Sequence, residues 1–150
     1  MKLIAHRGLM KGPDPLLENR PDQIQEALRL GFDAEVDIWR IGSELFLGHD
    51  QPQYLISESF LANPSVWIHA KNLEALYYLM SNTHKVHFFW HENDAFTCTN
   101  KGFIWTYPRQ PLTPLSICVM PELFMPLEET PKLTCYGICS DYIQIISSDY

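Results

Sequence analysis

The chain has 150 residues, a net charge of −7 and an apolar fraction of 46%, which is the composition of one ordinary globular domain spanning residues 1–150. The acidic balance and the lack of a basic run argue against nucleic acid and anionic lipid as partners, and no apolar run reaches the roughly 18 residues of a membrane span. Because no signal peptide precedes the first apolar run, we expect a cytoplasmic protein.

Strands and helices alternate in the first half of the chain. The predicted strands cover residues 2–5, 32–39, 44–47 and 66–70, and the predicted helices cover 22–30, 57–63 and 73–81. Pro21 lies in the first turn of the first helix and Gly31 follows its end, as helix boundaries favour. This order is typical of parallel βα units.

The strand over 44–47 departs from that alternation. Only a short segment containing Gly42-Ser43 separates it from the preceding strand, so we expect the chain to fold back there as a hairpin. The hairpin returns the chain toward the end of the sheet where Asp37 lies and brings His49 there.

The second half predicts strands but few helices. These strands cover residues 86–90, 103–106, 116–120 and 137–143. Six of the eleven prolines lie between Pro108 and Pro131, and the eight residues between Tyr107 and Ser116 are too few for a helical crossover. A complete (β/α)₈ barrel takes about 250 residues. We therefore predict a reduced or incomplete TIM-type (β/α) barrel with shortened helices in the C-terminal half, whose unpaired edges are compatible with a homodimer.

Two acidic residues lie two positions apart in the second predicted strand. Alternation along a strand directs Glu35 and Asp37 to the same face. Because charges are rarely buried without a partner, this pair predicts either a hard cation such as Mg²⁺ or Ca²⁺, or a salt-bridged pair at a solvated strand end.

Two other predicted strands have histidine and basic residues at their carboxyl ends. His69 and Lys71 share one face of the strand over 66–70, and His6-Arg7-Gly8 ends the first strand. Taken singly, His69 could also be a core histidine satisfied by hydrogen bonds, and Lys71 could be a solvated loop lysine. Since the carboxyl ends of parallel strands meet at one edge, we expect these groups to converge into a site for phosphate.

The motifs occur in an order that resembles the glycerophosphodiester phosphodiesterase family, within the phosphatidylinositol phospholipase C-like superfamily. They are IAHRG, EN, FDAEVDIW, GHD and HAK, at residues 4–8, 18–19, 32–39, 48–50 and 69–71. The resemblance covers residues 1–71, and residues 137–142 are similar to the closing strand of the family. It implies a TIM barrel and hydrolysis of a glycerophosphodiester-like small phosphodiester with the help of a divalent cation.

The resemblance also implies a role for each matching residue. His6 and His49 would be the catalytic acid and base, with Arg7 and Lys71 on the phosphate. Glu35 and Asp37 would ligate the metal, and Glu18, Asn19 and Asp50 would support the site.

One position departs from the family pattern. The third strand of the family carries Glu-x-Lys, and His69 stands here in the place of that glutamate. Imidazole suits Mn²⁺ or Zn²⁺ better than Mg²⁺ or Ca²⁺. Either His69 ligates a different metal, a water or Glu122 supplies the missing oxygen, or the cation binds weakly. The alternative function is a catalytically weak or inactive descendant that binds a phosphorylated small molecule or a protein partner.

Residues of the second half rank lower as site candidates. His91 and Glu92 follow a predicted strand and fit a solvated loop as well as a pocket wall. We interpret Trp105 and Tyr107 as core residues that could also form an apolar wall beside a leaving group.

Overall fold

The computed structural model of the chain describes residues 1–82 and 86–148. Within these ranges the strands are β1 Lys2–Ala5, β2 Asp33–Ile41, β3 Glu44–Leu47, β4 Tyr54–Ile56, β5 Val66–Ala70, β6 His87–Trp90, β7 Phe96–Cys98, β8 Ile104–Thr106, β9 Ser116–Val119 and β10 Gly137–Ser140. The α-helices are α1 Pro21–Arg29, α2 Glu58–Leu61, α3 Leu73–Met80 and α4 Ile143–Ser147. Short 3-10 turns cover His6–Gly8, Pro121–Leu123 and Leu127–Lys132.

The described strands form one curled mixed sheet. Its main path runs β4-β3-β2-β1-β10-β9-β8-β7, and β5 pairs with β2 and β6. The strands β1, β2, β5, β6, β8, β9 and β10 pair in parallel, whereas β3, β4 and β7 join as antiparallel hairpin strands. The carboxyl ends of the parallel strands therefore share one edge.

The prediction of a TIM-type barrel is wrong. The structure is a half-barrel of ten described strands with few short helices, not a barrel in which strands and helices alternate. Only α1 and α3 are helical crossovers of eight or more residues in the described part of the chain. Where helices are missing, proline-rich loops and 3-10 turns connect β8 to β9 and β9 to β10, because proline removes a backbone donor and blocks helix growth.

The central strand β2 explains why the site lies where it does. Ala34, Val36 and Ile38 are fully buried on one face, where they pack in a cluster with side chains of β5, α1 and α3. The opposite face carries Glu35 and Asp37, which are also almost completely buried. Because β2 pairs with strands on both of its sides, it places the two carboxylates next to each other on one face of the sheet.

Asn100 connects β6 to the segment that follows β7. Its backbone N–H donates to the Phe88 carbonyl at 3.0 Å, and its side-chain oxygen accepts from the Phe88 N–H at 2.8 Å. These bonds satisfy both backbone groups of Phe88.

Across residues 1–82 and 86–148, no helix combines the length and the hydropathy that a membrane crossing requires.

The homodimer expected from the sequence stays a prediction.

Candidate active site

The carboxyl ends of the parallel strands surround a cavity of about 430 Å³. β1, β5, β6, β8 and β9 contribute residues near or just after their ends, whereas β2 contributes two carboxylates from its interior. The lining residues are His6, Arg7, Glu35, Asp37, His49, His69, Ala70, Lys71, Trp90, His91, Glu92, Trp105, Tyr107, Pro108, Val119 and Met120.

The turn after β1 is held in a constrained backbone conformation. Arg7 has φ 50° and ψ 27°, which is the left-handed region. In this conformation its N–H donates to Oε2 of Glu35 at 3.0 Å, and its carbonyl accepts from the Asn19 N–H at 2.9 Å. Asn19 and the cavity residue Met120 also have positive φ. Strained backbone of this kind is characteristic of functional sites, where the surroundings stabilise it.

His6 is paired with an aspartate that was not among the predicted site residues. Nδ1 of His6 donates to Oδ1 of Asp141 at 2.7 Å. Burial lowers the pKa of His6, but the bond to Asp141 and the charge of Glu35 outweigh it, so the pKa lies above the usual value. An ionised carboxylate only accepts hydrogen bonds, so Nδ1 carries the hydrogen in this pair. Nε2 is the ring nitrogen that Asp141 does not engage.

Glu122 supports Asp141 and does not complete the cation site. One of its carboxylate oxygens accepts from the Ser140 hydroxyl at 2.9 Å, and the other accepts from the Asp141 N–H at 3.1 Å. Ser140 Oγ in turn accepts from the Tyr142 N–H at 3.0 Å. These bonds fix the turn after β10 and thereby the side chain that orients His6.

Asp37 is surrounded by donors and cations. Its Oδ2 accepts from the Asn19 side chain at 2.8 Å and lies 3.3 Å from Nε of Arg7. Its Oδ1 lies 3.0 Å from Nδ1 of His69 and 3.6 Å from Nζ of Lys71. Burial opposes ionisation, but these partners outweigh it and hold the pKa of Asp37 below its usual range. Asp37 is therefore an anion at neutral pH.

Glu35 differs from Asp37 in its electrostatic surroundings. Burial and the neighbouring charge of Asp37 raise the pKa of Glu35. Ionisation of Glu35 beside the Asp37 anion therefore requires a positive charge within reach. Oxygen atoms of both carboxylates and a ring nitrogen of His69 all lie within 4.8 Å of one another. This donor set fits a divalent cation, with Glu35, Asp37 and His69 as its ligands.

The hairpin delivers His49 to the same cavity. Its Nδ1 donates to Oδ1 of Asp50 at 2.6 Å, and the histidine side chain is one-third exposed. Gly48 fixes this position through its backbone, because its N–H donates to the Asp37 carbonyl at 3.2 Å and its carbonyl accepts from Nε1 of Trp39 at 2.6 Å. His49 thus resembles His6 in having an aspartate on Nδ1.

Gly48→Ala should displace His49. At φ 149° an added Cβ would collide with the Gln51 carbonyl oxygen, so the loop must move. We expect a loss of about 1–3 kcal/mol in the free energy of unfolding, and a drop of about tenfold or more in the phosphodiester turnover that the family resemblance implies. Gly42→Ala is the matched control, because φ is also positive there but no atom lies within 4 Å of the new Cβ. Denaturant unfolding and diester hydrolysis measure both variants, and equal losses of turnover would contradict this role of Gly48.

Aromatic residues of the second half form the far wall of the cavity. Trp90, Trp105 and Tyr107 line it, and the ring of His91 stacks on Tyr107 with centroids 3.7 Å apart. Burial lowers the pKa of His91 to about 4, so this imidazole is neutral near pH 7. From the sequence, His91 was a lower-ranked candidate and the aromatic residues were interpreted as core, and their places near the ends of predicted strands were the only available signal.

The structure brings the predicted site residues together in two layers. Those that line the cavity are His6, Arg7, Glu35, Asp37, His49, His69 and Lys71. The supporting residues contact them from outside the lining: Glu18 accepts from Nη1 of Arg7 at 2.8 Å, Asn19 holds Asp37, and Asp50 holds His49.

In comparisons with protein-family models, curated proteins and solved structures, nothing matches this chain.

Proposed function

We propose that this chain is a metal-dependent phosphodiesterase that hydrolyses a glycerophosphodiester-like small phosphodiester, with His6 and His49 as acid and base. The family resemblance of the motifs suggests the reaction. The observation that carries the proposal is that two histidines, each paired through Nδ1 with an aspartate, line one cavity together with a group of donor atoms that could hold a cation.

The two histidines are suited to proton transfer. In each pair the aspartate accepts the Nδ1 proton and fixes the tautomer, so Nε2 is the nitrogen that can exchange a proton with a ligand. We assign His6 as the base, which takes a proton from the attacking water or hydroxyl. His49 then donates a proton to the leaving alkoxide as the phosphorus–oxygen bond breaks. The phosphodiester becomes a phosphomonoester or a cyclic phosphate and a free alcohol.

Two cations can receive the phosphate group. Nζ of Lys71 lies 3.6 Å from Asp37, beyond hydrogen-bond distance, so its donors are available to a ligand oxygen. Arg7 is held by Glu18 and Asp37, which keep its planar guanidinium at the edge of the cavity. Both side chains would compensate negative charge on the non-bridging oxygens.

A divalent cation would complete this arrangement. Glu35, Asp37 and His69 would hold it, and when bound it would stabilise charge that develops on the phosphoryl oxygens. The resemblance predicts Mg²⁺ or Ca²⁺, with Mn²⁺ allowed by His69.

A substrate panel tests the proposal. Glycerophosphodiesters, lysophospholipids and cyclic phosphates would be assayed with Mg²⁺, Ca²⁺ and Mn²⁺. We expect hydrolysis by the wild type and a loss of about 10²-fold or more in His49→Ala, since a positioned acid contributes that much. Asp50→Asn, which leaves Nε2 of His49 in place, should lose less. No hydrolysis of any panel member by the wild type would overturn the proposal.

The alternative is an inactive descendant that binds a phosphorylated small molecule or a protein partner. It is favoured by the contacts of Asp37 with Arg7, His69 and Lys71, which offset its charge without an added cation. Binding of a phosphodiester that depends on Arg7 and Lys71, without turnover under any metal condition, would support this alternative.

A further inference from the structure

We infer that His69 makes this a site for an imidazole-binding divalent cation, of the Mn²⁺, Co²⁺ and Zn²⁺ class, and not a Mg²⁺ or Ca²⁺ site. The inference rests on the proposed function in one respect, which is that a cation binds at the cluster of Glu35, Asp37 and His69. What it adds is the class of ion that these residues select.

The tautomer of His69 follows from one backbone contact. Nε2 of His69 lies 3.1 Å from the carbonyl oxygen of His91, and a carbonyl oxygen can only accept. Nε2 therefore carries a hydrogen. In the neutral ring Nδ1 is then the nitrogen with the free lone pair.

That lone pair faces a carboxylate. Nδ1 of His69 lies 3.0 Å from Oδ1 of Asp37. Two electron-rich atoms at this distance repel each other unless a positive centre lies between or beside them. A metal ion bound by both atoms satisfies this condition, and a proton on Nδ1 is the competing solution.

The surroundings of the ring are those of a metal ligand. A ligating histidine almost always donates its other N–H to a carboxylate, a water or a backbone carbonyl, which is the role that the His91 carbonyl takes here. The ring also stacks on Phe89, with centroids 5.0 Å apart and planes 9° apart, so its orientation is fixed from two sides. These two contacts hold Nδ1 on the side of the ring that faces Asp37.

The donor set decides the class of ion. Mg²⁺ and Ca²⁺ prefer oxygen ligands throughout, whereas imidazole suits the first-row transition metals and Zn²⁺. With two carboxylates and one imidazole, affinity should rise from Mg²⁺ through Mn²⁺ and Co²⁺. The oxygen-only preference that the family resemblance implies therefore does not fit the third ligand of this chain.

Metal titration of the chelator-treated protein tests the inference without any substrate. Calorimetry should show Mn²⁺ and Co²⁺ binding about 10-fold or more tighter than Mg²⁺, and His69→Glu should reduce that advantage by about 10–100-fold. Pulsed electron paramagnetic resonance of the Mn²⁺-loaded wild type should show coupling to an imidazole nitrogen, and His69→Glu should lose it. His91→Ala is the matched control, because it removes the neighbouring imidazole but keeps the carbonyl that accepts from His69.

The outcomes separate this inference from the proposed function. Tighter binding of Mg²⁺ than of Mn²⁺, or a wild-type Mn²⁺ spectrum without nitrogen coupling, would overturn it and assign a proton to Nδ1. The wild-type spectrum decides this even if His69→Glu does not fold. Loss of the nitrogen coupling in His91→Ala would also overturn it, in favour of the His91 ring as ligand. Nitrogen-coupled Mn²⁺ without hydrolysis of any phosphodiester would overturn the proposed function alone.

Discussion

His6→Ala and His6→Asn should both lose about 10²–10⁴-fold in turnover of a phosphodiester, the usual contribution of a positioned acid or base. The two variants differ in what they leave behind. Alanine leaves the buried carboxylate of Asp141 without its partner at 2.7 Å, whereas the asparagine amide can still donate to it. We therefore expect His6→Asn to unfold close to the wild-type temperature and His6→Ala to be less stable by about 1–3 kcal/mol.

The matched control for this pair is His87→Asn. His87 is also a partly buried histidine, but it lies at the start of β6, away from the cavity end of that strand. Its ring contacts Trp67 with the planes tilted by 40°, and its Nε2 lies 2.8 Å from the Thr99 hydroxyl. Its replacement should affect stability and leave turnover unchanged. Steady-state kinetics and thermal unfolding measure all three variants, and full turnover by His6→Asn would exclude His6 from the chemistry.

Asn19→Ala should have the largest effect on stability among the site residues. Asn19 is fully buried, and its side chain donates to Oδ2 of Asp37 at 2.8 Å and accepts from the Asp37 N–H at 2.9 Å. Alanine removes both bonds, leaves a buried N–H unpaired and must adopt φ 58°. We expect a loss of about 2–4 kcal/mol in the free energy of unfolding, from an unsatisfied buried donor together with left-handed backbone.

Asn19→Gly separates these two causes. Glycine adopts positive φ without strain but makes neither side-chain bond, so it should be more stable than Asn19→Ala by about 1 kcal/mol. Urea unfolding with a common m-value gives both differences. A loss below about 0.5 kcal/mol in Asn19→Ala, the range of ordinary surface substitutions, would show that Asp37 is held by its other partners.

Local structure was predictable where a strand is long or buried. The bounds of β1, β3 and β5 are those predicted from apolar runs at 2–5, 44–47 and 66–70. The strands β4 and β7 and the helix α4 were missed. β4 and β7 have three residues each and exist because a hairpin partner, β3 or β8, provides hydrogen bonds. Such pairing is non-local and leaves little periodic signal in the chain.

The barrel prediction failed for a related reason. The motifs of the first half specify strand ends, and the same strand ends can belong to a closed barrel or to a curled sheet. What distinguishes them is the connections of the second half, where the chain uses proline-rich loops and 3-10 turns. The sequence indicated shortened helices there but not the resulting mixed sheet.

The site was predictable to the extent that strand alternation determines it. Glu35 with Asp37, and His69 with Lys71, lie near one another because β2 and β5 pair in register, with Asp37 opposite His69. Asp141 was missed because its contact with His6 depends on β10 lying beside β1. That adjacency spans 135 positions of the chain and is not visible in local patterns.

Arg7 contributes to the site through its backbone as well as through its side chain. Its N–H binds Glu35 and its carbonyl binds Asn19, and both contacts would survive replacement of the guanidinium by almost any other group. An alanine scan would therefore test the phosphate role that we propose for Arg7 and overlook its backbone role entirely. Proline alone among the standard residues lacks the amide hydrogen, and its fixed negative φ is incompatible with this turn. The backbone N–H that binds the Glu35 carboxylate is therefore present with every standard residue at this position except proline.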